Sequence, residues 1–292
     1  MRKSFPRAEL ADVVGSAAIR DHPVVGAGYG TNTAKWAAEL ADGRRVFVKH
    51  ALDERAAEWL RKEHNVYRAV DASFLPAFYG WHDTAARTFL VIEDLSDAHW
   101  PPPWAAAHID AMLAALDAVH ASAQPAGLAR VEDEHDFNGW LRIVDDPGPF
   151  LSLRLCSPAW LDRSLPALLD AAGGAALEGD AFLHLDARGD NACIRDGHAI
   201  LVDWNWAGIG NGLVDVVGWL PSLRLEGGPE PWSVVDDSRG LAALFAGFFL
   251  ALAPLPPPET APRVREFQLR QGEVALGWAA RELGLDPPTL SV

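Results

Sequence analysis

The run His184-Leu-Asp-Ala-Arg-Gly-Asp-Asn191 ("HLDARGDN") concentrates polar groups between the apolar segments "AFL" and "ACI". A polar loop anchored at both ends by apolar strands is a common seat of chemistry. The pair Asp196-Gly197 downstream is a two-residue hairpin signal between apolar strands. Folding about that turn sets Arg195 against His198 and brings Asn191 and Asp203 to neighbouring strand ends. An amide oxygen and a carboxylate are hard ligands, suited to Mg²⁺ held jointly with a substrate phosphate. Asp186, five residues before Asn191, is expected to fold back over the same point. An ordinary hairpin with polar ends is the competing reading of this stretch alone.

A second pair of residues tests the first reading. Residues 53–70 ("DERAAEWLRKEHNVYRAV") read as a helix capped by Asp53. Its apolar stripe runs through Ala56, Leu60, Tyr67 and Val70, and Glu63 falls on that stripe while Glu58 does not. A carboxylate desolvated there needs a partner, since the effective penalty of a buried ion is about several kcal/mol. Lys49, in the apolar strand "RVFVKH", is the nearest candidate. Separately, Lys49 reads as an edge-strand lysine and Glu63 as a side chain that snorkels to water. Together they suggest an ion pair.

The elements that would hold these groups divide into a β-rich first third and a mostly helical remainder. Residues 24–50 read as three strands, interrupted by glycines at Gly26, Gly28 and Gly30 and by an Asp42-Gly43 hairpin signal. The glycine run is followed by a strand and not a helix, which fails the dinucleotide-binding context. Glycines between strands still let backbone close over phosphates. "TFLVIEDLS" is a further strand, after which "HWPPPW" breaks the chain and helical patterns dominate. The apolar run at 240–255 is short for a membrane span and reads as a buried helix. "PLPPPETAP" at 254–262 reads as a connection between C-terminal helices.

Composition bounds the function classes. The chain has 292 residues, a net charge of −15 and 49% hydrophobic residues, an ordinary globular balance. The acidic balance argues against nucleic acid and is compatible with a cationic small molecule. Two cysteines, with no paired spacing, and the lack of a signal-peptide pattern favour the cytoplasm and offer no disulfide framework. The histidines show neither zinc-site nor hydrolase-triad spacing.

Taken in this order, the parts resemble the protein-kinase-like fold, and most closely the aminoglycoside phosphotransferase and choline-kinase-like enzymes. "HLDARGDN" is similar to their catalytic loop and "LVDWNWA" to their metal-binding strand. The resemblance implies an α+β, two-lobed fold: residues 1–95 as a nucleotide-binding lobe with a small antiparallel sheet and one helix, and 96–292 as a larger helical lobe. It implies Asp186 as catalytic base, Asn191 and Asp203 as Mg²⁺ ligands, and Lys49 on the α/β-phosphates, positioned by Glu63. The glycines at 26, 28 and 30 would cover the phosphates, and the backbone of Glu93 and Leu95 would meet the adenine. Arg188 stands where protein kinases carry a lysine near the γ-phosphate. His184 would brace the loop and Asp215 would tie it down. Leu185 departs from the usual glycine, a change expected to affect packing.

The implied activity is transfer of the γ-phosphate of ATP or GTP to a hydroxyl of an aminoglycoside-like antibiotic, an amino sugar or another metabolite. No nucleic-acid or membrane partner is expected, and the chain would act as a monomer or homodimer. A non-catalytic nucleotide-binding relative is disfavoured because base, metal ligands and lysine are all present. A protein kinase is disfavoured because only eleven residues separate Asp203 from Asp215, too few for an activation segment. Trp204 or Trp206 is expected to wall the acceptor pocket, and Asp236, Asp237 and Glu273 either line a cationic site or face water.

Overall fold

The computed structural model describes residues 4–25, 32–133 and 137–288. Helix α1 (Arg7–Val14) leads into strands β1 (Ala18–Pro23), β2 (Thr33–Leu40) and β3 (Arg45–Ala51). Helix α2 (Glu54–Ala69) follows, then β4 (Phe78–Asp83) and β5 (Thr88–Glu93). These strands form one antiparallel sheet in the order β1-β2-β3-β5-β4.

Alternation along β3 explains how this sheet serves two sides. Val46 and Val48 point to a buried cluster with Leu10 and Val14 of α1 and with Phe89 and Val91. The intervening positions face the other way, where Ala51 packs with Ala56, Ala57 and Leu60 of α2. Period-two geometry therefore puts Lys49 on the α2 side. Helix α2 starts where expected: the Asp53 carboxylate accepts from the Ala56 N–H at 2.8 Å, a cap worth about 1 kcal/mol.

The remainder is mainly helical. In chain order it comprises α3 (Ala106–His120), β6 (Ala129–Arg130), α4 (Trp140–Asp145), α5 (Gly148–Ser152) and α6 (Pro158–Gly173). It continues with β7 (Ala181–Leu183), β8 (Ala192–Arg195), β9 (His198–Leu201), β10 (Gly208–Gly210), α7 (Leu213–Leu225), α8 (Leu241–Leu252) and α9 (Val264–Glu282). The apolar run at 240–255 is largely α8, buried along most of its length and packed on α6 and α9. Among the described residues no helix is long and apolar enough to cross a membrane. The β8–β9 hairpin pairs Arg195 with His198, and both turn residues, Asp196 and Gly197, have positive φ (52° and 78°). That is the twist-compatible turn the Asp-Gly pair favours.

Candidate active site

The site is built on the loop after β7, and its anchor is Asp215 in the first turn of α7. Asp215 is fully enclosed; its Oδ2 accepts from the His184 N–H at 2.8 Å and its Oδ1 from the Leu185 N–H at 2.6 Å. His120 Nε2 lies 3.0 Å from Oδ2. These bonds hold Leu185 in the left-handed region, φ 62°. His184 is buried, and burial lowers its pKa, so the ring is neutral. Its Nε2 donates to the Val202 carbonyl at 3.0 Å and its Nδ1 accepts from the Asp186 N–H at 3.2 Å. One imidazole thereby ties the loop to the strand that delivers Asp203.

Asp186 is where this bracing converges. Asn191 Nδ2 donates to its carbonyl at 2.9 Å and to its Oδ2 at 2.8 Å. Arg188 approaches Oδ1 at 3.0 Å and also pairs with Asp190 at 2.9 Å. Burial pushes the Asp186 carboxyl up to about 7, against the pull of Arg188. A carboxyl poised there suits proton exchange with a bound hydroxyl.

On the facing side, Lys49 Nζ donates to Glu63 Oε1 at 2.7 Å and also contacts Asp203 Oδ1. The Tyr67 hydroxyl donates to the same Glu63 oxygen at 3.3 Å. Burial alone would lower the Lys49 pKa, but Asp203 and Glu63 outweigh it, so the ammonium persists. Burial also opposes the Asp203 carboxylate, yet Lys49 and Lys35 hold its pKa below the ordinary range. The pairing inferred from strand lysine and stripe glutamate is present, and Asp203 joins it across the two parts of the chain.

The residues present fit a divalent ion. Asn191 is fully buried, yet its Oδ1 has no hydrogen-bond partner. Val202 N–H donates to the Asn191 carbonyl at 2.9 Å, which seats Asn191 and Asp203 at adjoining strand ends. Among the described residues no group of three or more His, Cys, Asp or Glu side chains could hold a metal alone. One amide oxygen and one carboxylate, completed by water and phosphate oxygens, is the mixed set Mg²⁺ favours.

No protein-family model matches the sequence, and no curated protein sequence does. Solved structures do. A choline/ethanolamine kinase family protein from Mesorhizobium loti superposes with a TM-score of 0.61 at 14% identity, over 95% of this chain and 96% of that one. A thermostable aminoglycoside phosphotransferase mutant, in ternary complex with ADP and hygromycin B, has a TM-score of 0.59 at 14% identity, covering 96% and 98% of the two chains. A macrolide 2'-phosphotransferase type I has 0.51 at 18% identity, covering 98% and 95%. The chain has the protein-kinase-like fold.

Within that fold the remaining expectations sort themselves. Gly26, Gly28 and Gly30 lie outside the described residues. Glu93 ends β5; its N–H donates to the Ala77 carbonyl at 2.8 Å and its carboxylate pairs with Arg195 at 2.5 Å. The Leu95 carbonyl accepts from the Ala98 N–H and from Trp100 Nε1, both at 3.0 Å. Trp204 cannot wall a pocket: it is fully buried and stacked on Phe182, at a centroid distance of 5.4 Å. Trp206 is 54% exposed and lies against Trp59 of α2. Asp236, Asp237 and Glu273 are exposed. Leu185 matters through its backbone as much as its packing.

Three residues escaped the sequence reading. Asp190 is the second partner of Arg188. Glu226 accepts from Trp104 Nε1 at 2.6 Å and sits so close that a Cβ on Gly189 would meet it at 2.4 Å. Lys35 lies opposite Lys49 in the sheet. Nothing local in sequence signals Glu226, which comes to the loop only through α7.

Proposed function

We propose that this chain is a small-molecule kinase, transferring the γ-phosphate of ATP or GTP to a hydroxyl of an aminoglycoside-like antibiotic, an amino sugar or another hydroxylated metabolite. The observation that carries the reading is the joint contact of Lys49 with Glu63 and Asp203, beside a buried Asn191 oxygen with no partner. Asn191 and Asp203 would hold Mg²⁺, which when bound neutralises charge on the phosphates. Lys49, kept cationic and oriented by Glu63, binds the α/β-phosphates. Asp186 orients the acceptor hydroxyl and takes its proton. Arg188 lies beside Asp186 and neutralises charge on the transferring group. Gly26, Gly28 and Gly30 would cover the phosphates, and the backbone at Glu93 and Leu95 would receive the base. Residues 1–95 act as the nucleotide lobe and 96–292 as the acceptor lobe.

Phosphoryl transfer needs positioning and charge neutralisation more than covalent assistance from the protein. The cluster supplies both. A protein acceptor is disfavoured by the eleven residues between Asp203 and Asp215. The neighbours' named ligands are chemically diverse, so the acceptor class stays broad. Free, buried Cys156 and Cys193 accord with a reducing cytoplasm.

The test is a screen of hydroxylated acceptors, cationic and neutral, for acceptor-dependent ADP release from Mg·ATP. Asp186→Asn is the control. It should bind ATP as the wild type does while turnover falls by at least about 100-fold. Near-normal turnover by Asp186→Asn, or labelled phosphate appearing in protein alone, would overturn the reading.

A further inference from the structure

The pairing of β2 with β3 sets Lys35 directly opposite Lys49. The ladder bonds fix what kind of pair this is. Leu40 N–H donates to the Arg44 carbonyl and Leu52 N–H to the Asn32 carbonyl. Counting in twos from either bond makes Lys35–Lys49 a non-hydrogen-bonded pair, the type whose side chains stand closer. Directly opposed residues share one face of the sheet. Lys49 reaches Glu63 and Asp203 on that face, so Lys35 projects toward the same cluster.

As sheet architecture this arrangement is unfavourable, because like charges in direct cross-strand opposition repel. A purely structural position would carry a neutral or acidic residue. Lys35 is also half-buried, so its charge is not simply dispersed into water. Burial lowers its pKa, and Asp203 and Glu63 oppose that change. Local violations of sheet rules are expected where a site needs the groups concerned.

We infer that Lys35 is a second phosphate-binding residue, so that the nucleotide's phosphates meet two ammonium groups, one from each of two paired strands. The inference rests on the kinase reading and assigns that site a residue beyond Lys49. A lysine suits the task, being a compact charge with three donors on a flexible four-carbon stem. Lys35 stands on β2 and Lys49 on β3, so the two ammonium groups are delivered by different strands. Lys35 therefore retains part of the phosphate affinity when Lys49 is removed.

The test titrates ATP·Mg and, separately, adenosine into the wild type, Lys35→Met, Lys35→Gln, Lys35→Arg, Lys49→Met and the Lys35→Met/Lys49→Met double variant, with melting temperatures alongside. Losing one charge-assisted contact corresponds to about a tenfold loss of ATP·Mg affinity. That loss is expected in Lys35→Met and Lys35→Gln, with adenosine binding unchanged and Lys35→Arg restoring most of it. Lys49→Met should still bind ATP·Mg, and the double variant should bind it more weakly than either single variant. Unchanged ATP·Mg affinity in both neutral Lys35 variants would overturn the inference while leaving the kinase reading intact. An equal loss for ATP·Mg and adenosine would show a structural role and overturn it too. A wild type that binds neither ATP nor GTP would remove both.

Discussion

Asp215→Asn isolates what the buried anchor contributes. The carboxylate accepts backbone N–H bonds on both oxygens, from His184 at 2.8 Å and Leu185 at 2.6 Å. Asparagine has the same shape but only one acceptor, so its NH₂ must face one of those N–H groups. Loss of one charge-assisted bond, with a buried donor left unpaired, costs about 1.5–3 kcal/mol. In a chain of 292 residues about 2 kcal/mol lowers the melting temperature by about 3 °C. The effect on turnover is larger in proportion. Leu185 sits at φ 62° with its N–H held by Asp215, and the left-handed region costs a non-glycine residue about 1–2 kcal/mol. Released, the loop moves Asp186, and a displacement of about 1 Å costs on the order of 100-fold in kcat. Differential scanning calorimetry and steady-state kinetics read the two effects. Adding Leu185→Gly should recover turnover, since glycine adopts positive φ without that penalty. An Asp215→Asn variant that melts within about 1 °C of wild type and keeps its kcat would show that Asp215 does not anchor the loop.

Two further outcomes follow from the same geometry. Glu63→Ala leaves the buried Lys49 with Asp203 as its remaining carboxylate among those contacts; removing one partner of a buried pair should cost about 3 kcal/mol in urea unfolding, and a change near zero would show that Glu63 is not paired in solution. The Glu93–Arg195 pair joins the end of β5 to the β8–β9 hairpin, and its hydrogen bonds to Arg195 lower the Glu93 pKa. A lowered folded pKa contributes stability above the unfolded pKa that is lost as pH falls through the folded one. The pair is partly exposed, so Arg195→Gln should destabilise by less than about 1 kcal/mol at neutral pH. That difference should shrink in unfolding curves taken below the ordinary glutamate range and vanish only once pH has passed below the lowered Glu93 pKa.

How much of this was legible depended on whether local chemistry set the geometry. The β8–β9 turn was readable because Asp-Gly tolerates positive φ at both positions, and register then delivered Asn191 and Asp203 to one place. Glu63 was readable because a charge on an apolar stripe demands a partner. Lys35 was not. A two-residue turn at Asp42-Gly43 would set Trp36, not Lys35, against Lys49. In the structure Leu40 and Arg44 close a three-residue loop, with Gly43 at φ 87°, and a one-residue slip reverses which face each side chain takes. Trp204 and Trp206 look alike in sequence, yet one is core and the other exposed. The chain turns at Asp203, itself left-handed at φ 66°, and no pattern of apolar residues announces that turn. The Leu185 conformation was hidden for a related reason: it is imposed from α7 against the residue's own preference.

Calorimetric titration of ATP, with and without Mg²⁺, into the wild type and Asp203→Ala tests most directly whether Asp203 holds the metal. Binding by the wild type should tighten when Mg²⁺ is present, and that dependence should disappear in Asp203→Ala while the variant stays folded. Equal Mg²⁺ dependence in both proteins would mean that Asp203 is not a ligand of the metal.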